Sequence, residues 1–328
     1  MARILVTGAS GFIGSHIARA LAADGHQVRA SGRNRQALAA LGPGIQAMPA
    51  DLAGDALAPL LAGVDAVVHS AARSSPWGTA AQFQRDNVLA TERLLAASQA
   101  AGVQRLVHLS SPSIYFRFAD QYNVGEAFTP PARWITEYAR SKWEGEQRVR
   151  ACADRLPSVV LRPRAVFGPG DTAIFPRILG VALGGRFPLV HGGRAVIDIT
   201  HVDNVVAATR AALRPDAPGD GRAYNISNGQ PMAVGELLAH TFALCGLQVA
   251  LRPVPRTLAV AAAGVAETLA RLRPGRPEPR LTRYGVGVIG WSQTLDIARA
   301  RDQLGYAPVV SLEQGLAGFA RHWKAHDH

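Results

Sequence analysis

Along the first half of the chain, short continuous apolar runs alternate with segments whose apolar residues recur every three or four positions. Runs at 4–6, 27–30, 66–69, 106–110 and 159–161 are brief, rich in β-branched residues and apolar on both faces. Strands buried inside a parallel sheet have this pattern. Between the first two runs, Ile13, Ile17, Ala20 and Leu21 keep helical spacing, which predicts a helix from about Phe12 to Ala23, stopped by Gly25. A longer helical stretch is predicted over 136–156, between the last two strands. The alternation predicts an α/β chain with a doubly wound parallel sheet covered on both faces.

Beyond about Gly168 the pattern turns irregular, with many Gly and Pro and shorter predicted helices at 202–213 and 234–245. A bend rich in Pro and Arg at 273–279 reads as a surface loop. No internal repeat is present. The 328 residues, 48% of them hydrophobic, suffice for one large domain or a large one with a smaller companion.

Charge and cysteine content narrow the classes. The net charge of +11 is spread along the chain, with neither a basic tail nor interleaved aromatics, which argues against nucleic-acid binding. It suits phosphorylated cofactors, acidic substrates or an anionic lipid surface. Cys152 and Cys245, far apart, form neither a disulfide framework nor a metal spacing, so reduced thiols, no metal and a cytoplasmic location are expected. The apolar run after Met1 is too short for a secretion signal, and 258–272 contains Glu267 and Arg271 and falls short of a membrane span.

Chemistry enters with Gly8-Ala9-Ser10-Gly11-Phe12-Ile13-Gly14, which follows the first strand and opens the first helix. Gly8 permits the tight turn, Gly11 lets the backbone approach a pyrophosphate, and Gly14 lets helix and strand pack closely. Phosphates would then sit on backbone N–H groups at the positive end of a helix. This is a dinucleotide site. A second match to the glycine pattern, Gly285-Val286-Gly287-Val288-Ile289-Gly290, is followed by no apolar-periodic helix and is rejected. Strand two ends Arg29-Ala30-Ser31-Gly32-Arg33-Asn34-Arg35. Gly32 stands where an acidic residue would bind the ribose hydroxyls, and no carboxylate is expected nearby to repel a 2′-phosphate. Arg33, and Arg35 beside it, could grip a 2′-phosphate, so NADP(H) is favoured, with NAD(H) kept open.

Tyr138-Ala139-Arg140-Ser141-Lys142 sets a tyrosine and a lysine one helical turn apart. A phenol near pKa 10 is a poor acid–base catalyst at neutral pH unless a cation stabilises its phenolate, and Lys142 is placed to do so. Ser110, Ser111 and Ser113 follow a buried strand and would emerge at the carboxyl end of the sheet, where ligands bind in open α/β folds. A serine there could polarise a carbonyl while Tyr138 moves the proton.

Together with Leu161-Arg162-Pro163-Arg164-Ala165-Val166-Phe167-Gly168-Pro169-Gly170-Asp171, these motifs resemble the extended short-chain dehydrogenases, which have an N-terminal Rossmann fold. The likeness runs on to Leu304-Gly305-Tyr306-Ala307-Pro308 and Ser311-Leu312-Glu313-Gln314-Gly315-Leu316. It implies a catalytic set of Ser111 (with Ser113 as the alternative), Tyr138 and Lys142. It also implies adenine contacts from Asp51 and Leu52, a loop at Ala71 and Ala72 beside the nicotinamide, and Asn87 as a brace. An NAD(P)-binding domain over 1–168, with returning segments at about 195–228, would carry a substrate lobe drawn mainly from 169–328.

Where sugar-nucleotide members carry an Arg-Asp-aromatic string, this chain has Ile197-Asp198-Ile199, and an apolar side chain cannot pair a diphosphate. The segment resembles instead the 3β-hydroxysteroid dehydrogenase branch. Ala71-Ala72-Arg73-Ser74-Ser75-Pro76-Trp77-Gly78 and Ser111-Pro112-Ser113-Ile114-Tyr115-Phe116 look closest to bacterial 2-alkyl-3-ketoalkanoate reductases. The expectation is an NADP(H)-dependent oxidoreductase interconverting a secondary alcohol and a ketone on a hydrophobic substrate, with a homodimer allowed for. The apolar segments 258–272 and 284–291 would line a channel, touch a membrane surface or form ordinary core. A nucleotide-sugar epimerase or dehydratase and a non-catalytic NADP-binding regulator are the alternatives. The intact Tyr–Lys pair argues against the regulator, and no acid–base pair for a dehydratase is evident.

Overall fold

The computed structural model describes residues 1–326. Seven strands form the central sheet: β1 Arg3–Thr7, β2 Gln27–Ser31, β3 Ile45–Ala47, β4 Ala66–His69, β5 Arg105–Leu109, β6 Ser158–Pro163 and β7 Asp220–Ile226. Their spatial order is β3-β2-β1-β4-β5-β6-β7, with every pairing parallel. The order reverses between β1 and β4, which opens a crevice at the carboxyl ends of the strands.

Both sheet faces are covered, as continuous apolar strands require. Ile4 and Val6 point to one side, against Ile17 and Leu21 of α1 (Phe12–Ala23) and Val205 and Ala208 of helix Val202–Leu213. Leu5, Val67 and Leu106 point to the other, against Leu94 and Leu95 of α2 (Ala90–Ala100) and Val149 of α3 (Glu137–Cys152). Period-two alternation along each strand feeds two cores at once. The predicted helix 136–156 is shorter than expected. Thr136 caps its start through Ala139 N at 3.0 Å, and the chain turns after Cys152.

A further core gathers Phe167, Phe175, Leu179, Leu237, Phe242, Leu316, Phe319 and Trp323. Ile197 and Ile199 belong to it, 6% and 5% exposed. The rejected glycine motif of 285–290 lies inside helix Arg283–Gly290, with no strand-to-helix turn. Helix Arg256–Leu272 buries Ala259, Ala263, Glu267 and Ala270 and leaves Leu258, Val265, Leu269 and Leu272 in solvent. Val265 and Leu269 line an open surface groove with Ala261, Gly264, Thr268 and Arg283. Glu267 accepts from Arg283 N and Nε at 2.7 and 2.9 Å and ties the two helices together. Among the described residues, no helix is long and apolar enough to cross a membrane.

Candidate active site

The glycine turn joins β1 to α1. Gly8 has φ +69°, and a Cβ there would fall 2.6 Å from Ala71 N, so the turn lies directly against the loop after β4. A Cβ on Gly14 would meet the Gly8 carbonyl oxygen at 2.3 Å, so helix and turn pack at backbone distance. Gly11 donates to Gly8 O at 2.9 Å and caps α1, with Phe12 and Ile13 forming its first turn. This close-packed cradle at a helix N-terminus fits a dinucleotide pyrophosphate. Ala71 N lies 3.4 Å from Thr7 Oγ1, which leaves Ala71 and Ala72 at the crevice edge.

At the end of β2, a Cβ on Gly32 would sit 2.4 Å from Ser10 Oγ. The Ser10 hydroxyl thus occupies the space an acidic side chain would need. The expectation that no carboxylate lies near Arg33 is wrong: Asp86, distant in sequence, stands 3.6 Å from the Arg33 guanidinium. Arg73 at 3.1 Å and Arg85 at 2.9 Å also hold Asp86, and Arg85 reaches on to Asp51. Asp51, beside Leu52 and held by Arg85, has its carboxyl below the usual range. Arg33, Arg73 and Arg85 thus meet Asp86 and Asp51 in this corner, with the Asp55 carboxylate accepting from Asp51 N at 2.8 Å.

On α3, the Tyr138 phenol is raised above its ordinary pKa by burial, and the nearby Ser111 hydroxyl opposes the rise. Lys142 is 4% exposed and donates to the Leu109 carbonyl at 2.6 Å, while burial pulls it down from 10.5 to about 8. The expected lowering of the phenol by Lys142 is not observed; the ammonium turns to the end of β5 instead. Ser111 caps a 3-10 turn, accepting from Ser113 N at 3.2 Å. The structure therefore sets Ser111 rather than Ser113 beside the phenol.

Asn87 sits in a π-helical turn, Gln84–Leu89. Its amide donates to Ser141 Oγ at 2.8 Å and its oxygen accepts from Arg73 N at 2.7 Å, which pins α3 to the loop after β4. Such single π turns recur at functional sites. Below them, Arg162 and Glu146, 1% and 0% exposed, form a buried ion pair that Tyr115 joins through its hydroxyl.

Two residues that no sequence motif singled out as site residues complete this region. Arg164, directly after β6, is 4% exposed, yet its Nε and Nη2 have no acceptor. Tyr284 lies within electrostatic reach of both Arg164 and Tyr138, and burial pushes its phenol up to about 12. Its ring packs edge-on against Phe116, centroids 5.3 Å apart. Tyr284 is 146 residues from Tyr138 and carries no local motif, so only the fold brings them together.

The model of the NAD dependent epimerase/dehydratase family matches residues 4–227, which span the glycine turn, Tyr138, Lys142 and all seven strands. The chain belongs to that family. It is 37% identical to a 2-alkyl-3-oxoalkanoate reductase of Stenotrophomonas maltophilia, over 96% of this chain and 97% of the relative. It is 30% identical to a 3β-hydroxysteroid dehydrogenase/Δ5→4-isomerase of Mycobacterium tuberculosis, over 96% of this chain and 89% of the relative. Among solved structures, MoeE5 in complex with UDP-glucose and NAD superposes with a TM-score of 0.79 at 27% identity, covering 99% of this chain and 100% of that one. The family member described here is an enzyme that acts on CH–OH groups. Its Rossmann-type sheet is the one expected, and structural neighbours bind NAD in the same fold.

Proposed function

We propose that this enzyme interconverts a ketone and a secondary alcohol on a hydrophobic substrate of the β-keto or β-hydroxy acid type, with Tyr138 as acid–base. The observation that carries the reading is Tyr138 and Lys142 one turn apart, with Ser111 at the phenol, at the carboxyl end of β5. The glycine turn of Gly8, Ser10, Gly11, Phe12, Ile13 and Gly14 would hold the dinucleotide phosphates, with Asp51 and Leu52 at the adenine and Ala71 and Ala72 beside the nicotinamide. When bound, the dinucleotide supplies or accepts the hydride at the carbinol carbon. Ser111 holds the substrate oxygen, and Tyr138 gives that oxygen a proton in reduction and removes it in oxidation. Lys142 serves the ribose. Arg33 after β2, with Gly32 and the Ser10 hydroxyl where an acidic side chain would sit, supports NADP(H) over NAD(H).

The 2-alkyl-3-oxoalkanoate class is supported by the full-length likeness to a reductase of that name. The nucleotide-binding part comprises 1–168 with the returning strand β7, and the substrate lobe draws on the rest. The test is turnover of a 2-alkyl-3-hydroxyalkanoate by the parent and by Tyr138→Phe. The phenol contributes roughly 100- to 10,000-fold as acid–base, and that factor should vanish with cofactor affinity unchanged. Near-normal turnover in the variant, or micromolar binding of a UDP-sugar without turnover of any alkyl substrate, refutes the reading.

A further inference from the structure

Charged side chains in a protein interior are retained when something pairs them, because removing an unpaired cation from water is strongly unfavourable. Arg162 obeys the rule through Glu146 and Tyr115. Arg164, two residues on, does not. The residue is 4% exposed against 1% for Arg162, its buried Nε and Nη2 have no acceptor, and among the described residues it forms no ion pair.

The surroundings hold Arg164 firmly in this position. The backbone at Arg164 is fixed: its N–H donates to Ile226 O at 3.0 Å, and its carbonyl accepts from Thr200 Oγ1 at 2.6 Å. The next residue, Ala165, has φ +42°, a conformation that L residues seldom adopt. Asp198 is the one carboxylate within electrostatic reach of Arg164, and it forms no ion pair with it; one of its oxygens accepts from Leu295 N at 2.7 Å. Tyr284 lies within electrostatic reach of both Arg164 and Tyr138. Strands β5 and β6 are neighbours, with Ser110 N donating to Leu161 O at 2.7 Å, so the serine loop and Arg164 leave the same end of the sheet side by side.

We propose that Arg164 is the carboxylate-binding residue of the substrate site, its unpartnered guanidinium receiving the acid group of a β-keto or β-hydroxy acid whose oxygen at the reacting carbon lies at Tyr138. This rests on the proposed role of Tyr138 and adds the residue that recognises the substrate's acid group. Two parallel N–H donors on Arg164 match the two oxygens of a carboxylate. The carboxylate takes no part in the redox step and leaves the site unchanged. A neutral sterol or simple ketone would leave the cation buried and unpaired.

The experiment compares oxidation of a 2-alkyl-3-hydroxyalkanoate with that of its methyl ester, a stable pair differing only in the charge. The parent should prefer the acid in kcat/KM by about tenfold or more, the scale of one charge-assisted contact. In Arg164→Met and Arg164→Gln the acid should lose that advantage while the ester keeps its rate. The cofactor dissociation constant should not move, because a rise there would assign the cation to a dinucleotide phosphate and overturn the proposal. Thermal melting without substrate is the second readout. Removing an unpaired buried cation should leave the melting temperature unchanged or raise it. Unfolding of both variants would show a structural cation and refute the proposal. Equal turnover of acid and ester by the parent refutes it too while leaving the Tyr138 reading intact. Turnover of neither by the parent tells against the Tyr138 reading, and with it this one.

Discussion

Lys142→Met separates stability from function at one residue. The ammonium is 4% exposed and pulled down from 10.5 to about 8 by burial, with Glu146 opposing the shift. At about 1.36 kcal/mol for each pH unit, the gap of roughly 2.5 amounts to about 3 kcal/mol of destabilisation carried by the charged form. Because the folded pKa lies below the unfolded one, this cost is present in full below pH 8. It fades as pH rises towards 10.5, so the parent gains stability over that window. Methionine keeps the stem's bulk and removes the charge, but it orphans the Leu109 carbonyl, now bonded at 2.6 Å, at a cost of about 1–3 kcal/mol. The variant should therefore be as stable as the parent at pH 7, or more stable by up to about 2 kcal/mol, with turnover and cofactor affinity both impaired. Urea unfolding of the two proteins at pH 7 and pH 10 measures the difference. Most of the 3 kcal/mol should pass to the parent's advantage by pH 10. A variant clearly less stable at pH 7, by an amount that does not change with pH, would refute the reasoning.

Three further outcomes are expected. Glu146→Gln leaves Arg162 charged in the interior and should cost about 3–5 kcal/mol in chemical denaturation, with little effect if the pair contributes nothing. Gly14→Ala places a methyl 2.3 Å from the Gly8 carbonyl oxygen, and fluorescence titration should show dinucleotide affinity down by about tenfold or more. Arg33→Ala should weaken NADPH by roughly 10- to 100-fold and NADH hardly at all; a parent that binds both alike would contradict the 2′-phosphate assignment.

The parallel sheet, the glycine turn and the Tyr–Lys spacing were all legible in the chain, because each is a local pattern. Strand and helix periods repeat every two or 3.6 residues, the turn needs glycine at fixed offsets, and residues four apart meet on any helix. The family itself followed from those motifs in order. Everything that depended on distant segments meeting had to come from the tertiary structure. Asp86 reaches Arg33 only because the π turn after β4 folds over the end of β2. Ile197 and Ile199 argued in sequence only against a diphosphate partner, and it is the fold that makes them part of a core with Phe167 and Phe319. Lys142 was expected to act on its helical neighbour Tyr138, but its nearest acceptor is the end of β5, 33 residues away. Arg164 looked like one more charge in a strand-end motif until the packing of β6, Thr200 and Ala165 buried it without a partner. Sequence spacing fixes which neighbours a residue has within its own element. Which charges end up paired is decided only when elements far apart in the chain close around them.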